Sequence, residues 1–241
     1  MPVKVVLHVS PHPDDEAIAP GMTLRALAAR GWSAVNLLLS AGRPGDEERR
    51  LAEAVDASRR GGYRLERAVD ALAGGEAVCA EAVADAIRRE RPALVVSPQA
   101  RDGHPSHEVV GRAVGAALQV AATPAAWWTW GLWASLERPT LYVPHGPDDL
   151  QRALDALAAY RGENERNDYR RLVEGLAAAN AVLGSERVFG FGSAAASTKP
   201  YAELFTEAIH RDGNWYAGRS RVLDVDDPLR GQPVGDPLEL P

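Results

Sequence analysis

The amino-acid sequence predicts an α/β fold, because apolar runs of strand length alternate with longer segments of helical pattern. The run VKVVLHV (residues 3–9) is apolar apart from Lys4 and His8, which is typical of a strand buried on both faces, and ALVVS (residues 93–97) has the same character. This alternation predicts a Rossmann-like three-layer αβα sandwich with a mostly parallel sheet. In such a sheet the active site lies at the C-terminal ends of the strands.

The remaining elements of the first half are bounded by residues that stop helices. Gly31, Gly61 and Pro92 each follow a helical segment, as expected where helices end. Helices are therefore predicted over residues 16–30, 47–60, 76–90 and 107–121, with a strand over residues 34–39.

The second half is less regular. An aromatic segment, WWTWGLWASLERP (residues 127–139), precedes a predicted strand over residues 140–143. Helices are predicted over residues 148–160 and 165–183, and a strand over residues 187–193. The tail from residue 224 is rich in Pro, Gly and Asp and is predicted to lack regular structure. The expected organisation is a single domain over residues 1–241, with a Rossmann-like core (1–120), substrate-side elements (121–223) and an extended C-terminal arm (224–241).

Composition and charge narrow the function classes. The 241 residues carry a formal net charge of −6, which argues against a general nucleic-acid-binding protein. The one cysteine, Cys79, leaves no internal disulfide framework. The sequence has no signal-peptide pattern and no apolar stretch near the ~20 residues that span a bilayer. It therefore predicts a cytoplasmic enzyme or binding protein with no nucleic-acid or membrane partner.

A dense group of polar residues follows the first predicted strand in SPHPDDEAIAPG (residues 10–21). Adjacent carboxylates repel one another, so a positive or reactive group is expected beside them. His12 and Asp15 lie three residues apart, and imidazole nitrogen with carboxylate oxygen suits Zn²⁺ or a similar divalent ion. The candidates for a third ligand are the remaining histidines: His8, His104, His107, His145 and His210.

His104 and His107 occupy the loop after ALVVS, again three residues apart. A His₂Asp set from two loops, with water in the fourth position, is the pattern of a catalytic zinc site. Asp14 could then take a proton from the water, while the histidine that does not ligate faces the reacting carbonyl. The implied chemistry is metal-assisted hydrolysis of an amide. The alternative for Asp14 and Asp15 is a helix start without a metal, where the helix dipole favours aspartate.

PHPDDE after an N-terminal apolar strand, together with DGHPSH near residue 100, resembles the LmbE-like (PIG-L) zinc-dependent N-deacetylases, which act mainly on N-acetylglucosaminyl groups. The resemblance is looser in the second half, where it rests on LAAYRGENER (residues 157–166). The family pattern implies that His12, Asp15 and His107 hold one Zn²⁺ per chain. It also implies that Asp14 is the general base and His104 the acid or oxyanion partner. Fe²⁺, Co²⁺ and Ni²⁺ also fit a His₂Asp set.

The second motif departs from the family, whose members often read HPDH where this chain reads HPSH (residues 104–107). The missing aspartate often orients the catalytic histidine. Either Ser106 or Asp102 could take over that contact to His104, and Asp102 is also a candidate substrate-site residue.

Three further residues are substrate-site candidates. In the family an arginine in an R-x-x-E pattern contacts substrate hydroxyls; Arg50 fits that pattern, and Arg43 lies in the preceding loop. The alternative for Arg50 is a solvated helix arginine paired with a carboxylate. His145 follows a predicted strand and is a candidate for the pocket wall. The tryptophans at positions 127, 128, 130 and 133 form either a sugar-stacking surface or, as is more common, core or subunit contact.

We therefore predict a zinc-dependent hydrolase that removes an acetyl group from an N-acetylamino sugar, which is a small-molecule substrate. Two alternatives stay open. One is an amidase that uses the same metal on a different amide, such as a thiol conjugate or an acylated natural product. The other is a non-catalytic, metal-dependent sugar-binding protein. A homo-oligomer is compatible with the resemblance, and nothing in the sequence sets the number of subunits.

Overall fold

The computed structural model describes residues 3–121, 125–211, 214–229 and 234–237. Within these ranges the strands are β1 (Val5–Ser10), β2 (Ser33–Leu38), β3 (Arg64–Arg67), β4 (Leu94–Pro98), β5 (Ala126–Trp130), β6 (Leu141–His145), β7 (Tyr201–Arg211), β8 (Asn214–Gly218), β9 (Arg221–Val222) and β10 (Val234–Pro237). The helices of the same ranges are α1 (Asp15–Ile18), α2 (Gly21–Ala29), α3 (Glu47–Gly61), α4 (Glu76–Glu90), α5 (Pro105–Ala121), α6 (Pro147–Leu157), α7 (Arg161–Arg166) and α8 (Tyr169–Phe189).

The strands form a mixed sheet whose centre is parallel. The order β3-β2-β1-β4-β5 is parallel throughout, and β7, β8 and β10 extend it by antiparallel pairing. The long strand β7 serves two sets of partners, because residues 206–209 pair with β5 and residues 201–205 pair with β6. The predicted α/β class with a mostly parallel sheet is confirmed.

Helices cover both faces of the sheet, because successive strand residues point to opposite sides. Leu7 of β1 shares one apolar core with Ile87 of α4 and Val110 of α5. Its neighbour Val6 shares another core with Leu27 of α2 on the opposite face. Each such side chain contributes about 1.5–3 kcal/mol on burial. Among the described residues, no helix combines the length and apolar character needed to cross a bilayer.

Two predicted helices are each divided in the structure, and one predicted strand is wrong. Residues 16–30 form α1 and α2 because Pro20, which has no N–H to donate, stands between them. Residues 165–183 fall in α7 and α8, and the Asp168 carboxylate caps α8 by accepting the Arg171 N–H. The predicted strand over residues 187–193 is wrong, because its first three residues form the last turn of α8. Gly190 ends that helix at φ 101.

The sequence prediction omits β3, β5, β7, β8 and β9, and it makes the tail irregular. In β7 a buried carboxylate, Glu207, accepts hydrogen bonds from Trp128 Nε1 at 2.9 Å and Arg221 Nη2 at 2.8 Å. Hydrogen bonds from residues distant in sequence thus stabilise a buried charge in β7. For this reason the strand forms without an alternation of apolar and polar residues. The irregular tail is corrected for β10, which pairs with β8. Residues 230–233 and 238–241 of the predicted arm lie outside the described residues.

The aromatic segment begins with the buried strand β5. Trp127, Trp128 and Trp130 are at most 3% exposed, so the core interpretation applies to these three. Trp130 Nε1 donates to His8 Nε2 at 3.1 Å, and the other ring nitrogen of His8 is 2.8 Å from Asn36 Oδ1. Burial lowers the pKa of His8 to about 4, so a neutral imidazole completes this part of the core.

The parallel order creates a switch point between β1 and β4. The chain leaves β1 towards β2 and β3 on one side, then returns through α4 to β4 on the other. β1 and β4 are paired directly, with Val6 opposite Leu94. The loops that follow the two strands therefore open side by side, in the crevice where α/β sheets bind ligands.

Candidate functional site

A cavity of about 630 Å³ opens where the loops after β1 and β4 meet. Both sequence motifs contribute to it, because their strands are neighbours in the sheet. The other walls come from the loops after β2, β3 and β5 and from the α7–α8 segment. Representative lining residues are Asp14, Arg43, Val69, His104, Trp133 and Glu163.

His12, Asp15 and His107 bring three metal-ligating atoms together, one from each side chain, all within 4.8 Å of one another. Asp15 Oδ2 is 3.4 Å from His12 Nδ1, and its Oδ1 is 3.3 Å from His107 Nε2. The His12 N–H donates to Asp15 Oδ2 at 2.8 Å, which holds the carboxylate against the turn. No other group of three ligating side chains occurs among the residues that the structure describes. We call these three residues the triad.

Asp102 lies behind His107. Its Oδ2 is 2.8 Å from His107 Nδ1, and its Oδ1 accepts the Leu132 N–H at 2.7 Å. A carboxylate that binds one ring nitrogen of a histidine orients the other ring nitrogen. Here Asp102 orients Nε2 of His107 towards His12 and Asp15. Asp102 is completely buried and its carboxylate is taken up by these contacts. It does not line the cavity, and its contact goes to His107 instead of the His104 ring that the sequence predicted as its partner.

The two carboxylates that flank His107 dominate its protonation. Burial alone would lower the pKa of His107, but Asp15 and Asp102 outweigh it and raise that pKa to about 10. Burial acts to raise the pKa of Asp15, whereas His107 and His12 hold it well below its usual range. The carboxylates around His107 therefore favour a positive charge between the three side chains of the triad. That charge is either a proton on the imidazole of His107 or a divalent cation that replaces the proton.

Asp14 joins the triad to the wall of the cavity. Its backbone lies at φ 111, a conformation that is uncommon for a residue other than glycine, and its carbonyl accepts the Ala17 and Ile18 N–H groups of α1. The side chain is buried and its Oδ2 is 3.6 Å from Arg50 Nη2. Burial, and then the charge of Asp15, raises the pKa of Asp14 well above its usual range, with Arg50 opposing them.

Arg50 is buried at the cavity wall, so the alternative of a solvated helix arginine is wrong. Its Nη2 donates to the Pro13 carbonyl at 2.8 Å, and its Nη1 is 3.5 Å from Glu163 Oε1. Gly42 makes room for it, because a Cβ there would lie 2.6 Å from Arg50 Nη1 and the backbone is at φ 92. Arg43 is exposed at the rim of the same cavity.

His104 lines the cavity beside the triad. Its ring centroid is 5.1 Å from that of His12 and 4.6 Å from that of His107. Its Nδ1 is buried and has no hydrogen-bond partner in the described part of the chain, so the contact predicted from Ser106 or Asp102 is absent. Burial, and then the neighbouring His107 and His12, lowers the pKa of His104.

His145 lies away from the cavity, which corrects its prediction as a pocket residue. It is buried between Asp149 and Glu203, with N–O distances of 3.7 and 3.6 Å, and its Nε2 is 3.1 Å from Thr23 Oγ1. The prediction for His145 rested on its position at the end of a strand. It fails because β6 pairs with β7 and is not one of the parallel strands whose C-terminal ends form the cavity.

Sequence reasoning missed Glu163 and Arg166, which lie in the RGENER part of LAAYRGENER and line the cavity. The buried Glu163 Oε2 accepts from Arg166 Nη2 at 2.8 Å, and Arg166 Nη2 also donates to Tyr169 Oη at 2.7 Å. Glu53, the acidic member of the R-x-x-E pattern, accepts the Gly162 N–H at 3.1 Å and ties α3 to α7. The sequence feature that could have identified these residues is the high density of charged side chains around the break between α7 and α8.

Comparison with known proteins finds relatives of the segment that carries both motifs. The PIG-L family model, described as GlcNAc-PI de-N-acetylase, matches residues 7–118, which include the triad, Asp14 and His104. The chain is 34% identical over 128 residues to diacetylchitobiose deacetylase of Thermococcus kodakarensis, and the match covers 45% of this chain. The chain spans about half the length of that curated relative, 47% of it.

Solved structures share the fold over most of the chain. The conserved protein TT1542 of Thermus thermophilus is 27% identical, with a TM-score of 0.65 over 83% of this chain and 92% of that one. N,N'-diacetylchitobiose deacetylase of Pyrococcus horikoshii is 18% identical, with a TM-score of 0.66 over 85% and 83%. GalB of Pseudomonas putida, a 4-carboxy-2-hydroxymuconate hydratase, is 19% identical, with a TM-score of 0.66 over 87% and 98%.

The hydratase among these neighbours means that the fold alone does not decide the reaction. The similarity to the PIG-L family rests instead on the matched segment, which carries both motifs and the strands that bring them together. The similarity to the PIG-L family therefore covers residues 7–118, just under half of this chain.

Proposed function

We propose that this chain is a metal-dependent N-deacetylase that hydrolyses the acetamido group of an N-acetylglucosamine-type sugar. One observation carries the proposal: the triad and Asp14 lie together on the floor of a cavity large enough for a small molecule. The family description and the names of the relatives, which are deacetylases of acetylated amino sugars, favour this substrate class. The substrate is a small amino-sugar conjugate.

The donor set of the triad fits a divalent metal. Two imidazole nitrogens and one carboxylate converge, and Asp102 already occupies the far nitrogen of His107. Such a set, with a position left for water, is typical of catalytic zinc, so we propose Zn²⁺, held by His12, Asp15 and His107. When bound, such an ion supplies Lewis-acid chemistry, in which the pKa of water falls to ~7 and the amide carbonyl is polarised.

Two residues of the chain, Asp14 and His104, carry out the proton transfers. Asp14 accepts a proton from the water as it adds to the acetyl carbonyl, and Arg50 holds the carboxylate in place. His104 faces the reacting group, donates to the developing oxyanion and protonates the amine as the C–N bond breaks. Acetate leaves, and the sugar keeps a free amine.

The decisive measurement is acetate release by the purified protein from a panel of N-acetylglucosaminides, before and after chelation, with Zn²⁺ added back. The panel includes a simple glycoside, an inositol conjugate and a glycopeptide pseudoaglycone. We expect release that chelation abolishes and Zn²⁺ restores.

The two alternatives give different outcomes in the same experiment. Release of a larger acid from another amide, without acetate, identifies an amidase. Sugar binding with stoichiometric metal but without turnover identifies a binding protein. His12→Ala serves as the control, because it removes one ligand at the partly exposed edge of the triad.

A further inference from the structure

Trp133 differs from every other tryptophan of the chain. Its exposed fraction is 53%, whereas the other five, at positions 32, 127, 128, 130 and 215, are at most 9% exposed. It lines the cavity, and its ring centroid is 6.0 Å from that of His104, at an interplanar angle of 32°. The indole therefore stands beside the reacting groups rather than in the core.

The backbone that carries this indole is held from two sides. Asp102 accepts the Leu132 N–H at 2.7 Å, and the Trp133 N–H lies 3.5 Å from its other oxygen. Gln99 Nε2 donates to the Ala134 carbonyl at 2.9 Å. The carboxylate of Asp102 thus positions both a triad ligand and the segment that carries the ring. Because this backbone is already held, the segment loses little conformational freedom when a ligand stacks on the ring.

The order of side chains shows which part of a substrate reaches Trp133. His104 lies between the triad and the indole, 4.6 Å from the His107 ring and 6.0 Å from the Trp133 ring. An acetamido group at the triad leaves the rest of the molecule to extend past His104. The cavity of about 630 Å³ falls within the ~300–1,000 Å³ range of sites that bind drug-sized ligands. Its volume is therefore larger than a single sugar ring requires.

We propose that Trp133 is a specificity-determining residue that stacks on a second pyranose ring, joined to the sugar whose acetyl group is removed. This inference rests on the proposed function. The C–H face of a pyranose is apolar and fits the flat indole, while the ring hydroxyls stay in water. Val69 and Leu72 line the same cavity and add apolar surface. The preferred substrate is therefore an acetamido sugar glycoside of disaccharide size, not the free monosaccharide.

The test compares N-acetylglucosamine with N,N'-diacetylchitobiose. Binding of each sugar is measured by calorimetry with metal-free protein, and kcat/KM for acetate release is measured with Zn²⁺ restored, in wild type, Trp133→Ala and Trp133→Phe. We expect Trp133→Ala to weaken binding and lower kcat/KM for the disaccharide about 3- to 10-fold. The monosaccharide should change by less than about twofold, and Trp133→Phe should keep most of the disaccharide preference.

Phe191→Ala is the matched control, because Phe191 is 97% exposed and lies outside the cavity. Equal losses for both sugars, an unchanged disaccharide, or binding of neither sugar would overturn the inference. Disaccharide binding that depends on Trp133 without acetate release upholds the stacking role and overturns the deacetylase. Acetate release that ignores Trp133 upholds the deacetylase and overturns the stacking role.

Discussion

At the scale of single residues, Asp14 shows how backbone strain serves a site. Its φ of 111 costs about 1–3 kcal/mol for a non-glycine residue. The same conformation lets its carbonyl accept the Ala17 and Ile18 N–H groups at 2.9 and 3.0 Å and start α1. It also aims the carboxylate at Arg50 and the cavity rather than at solvent. Strain persists here because the surrounding contacts determine the geometry.

Asp14→Asn tests the general-base role with little change in shape, because asparagine tolerates positive φ better than alanine. We expect kcat/KM for acetate release to fall by ~10²–10³, since general-base catalysis supplies about that much. Metal stoichiometry, measured by elemental analysis, should stay at the wild-type value because the triad is intact.

Asp85→Asn makes the same chemical change on the exposed face of α4 and should leave the rate unchanged. Wild-type activity in Asp14→Asn would remove this carboxylate from the mechanism.

At the scale of elements, a buried charge cluster joins four of them. The Glu203 carboxylate of β7 accepts the Met22 and Thr23 N–H groups at 2.9 and 2.8 Å, and so caps the N-terminus of α2. His145 at the end of β6 lies between this carboxylate and Asp149 of α6. The cluster connects the branch of the sheet to the helices that pack over α1.

His145→Gln is expected to destabilise the protein in a pH-dependent manner. Burial alone would lower the pKa of His145, but Asp149 and Glu203 raise it above its ordinary value of 6.5. A pKa that is raised by folding adds stability that is complete below the unfolded value and lost as pH rises through the folded value. The variant should therefore lose roughly 3 kcal/mol at about pH 6 and clearly less at about pH 9.

Urea unfolding of both proteins at the two pH values gives this comparison. Arg152→Gln, which removes an exposed partner of Asp149, should show no such dependence. A deficit in His145→Gln that stays constant with pH would mean that the imidazole is neutral in the folded protein.

At the scale of the whole molecule, the triad links segments that are far apart in the chain. His12 and Asp15 follow β1, whereas His107 lies in the first turn of α5 after β4. The unfolded chain does not hold these atoms within reach of one another. A ligand that binds all three therefore stabilises the fold by mass action.

Adding Zn²⁺ to the metal-free protein should raise its Tm. At about 100 times Kd, the linkage free energy is about 2.7 kcal/mol, which corresponds to roughly 5–10 °C for a chain of this size. Scanning calorimetry with and without the ion measures the shift, and His12→Ala should abolish most of it.

Mg²⁺ at the same concentration is the control, because it prefers an all-oxygen octahedral set and should shift Tm little. An equal shift with both ions, or a shift retained in His12→Ala, would place the ion elsewhere.

Much of the site was predictable because its groups are close in sequence or sit at strand ends. His12, Asp14 and Asp15 occupy one turn, and His107 follows a strand that local pattern alone identifies. Parallel strands deliver their following loops to one edge, so two such loops meet when their strands are neighbours.

The same local reasoning identified α3, α4 and α5 and the strands β1, β2 and β4, whose apolar periods and stop signals lie within each segment. It failed for β7, because Glu203 and Glu207 break the apolar alternation of that strand and find their partners on other elements. Hydrogen bonds between residues distant in sequence leave no local pattern to read.

By itself, therefore, the sequence determined the fold class, the resemblance of residues 7–118 to the PIG-L family and the candidate residues of the site. Only the tertiary structure decided which of their neighbours support them. It assigned Asp102 to His107, removed His145 from the cavity and separated the exposed Trp133 from three buried tryptophans. Motif residues are constrained by chemistry within one turn, whereas burial and partnership depend on how separate elements pack together.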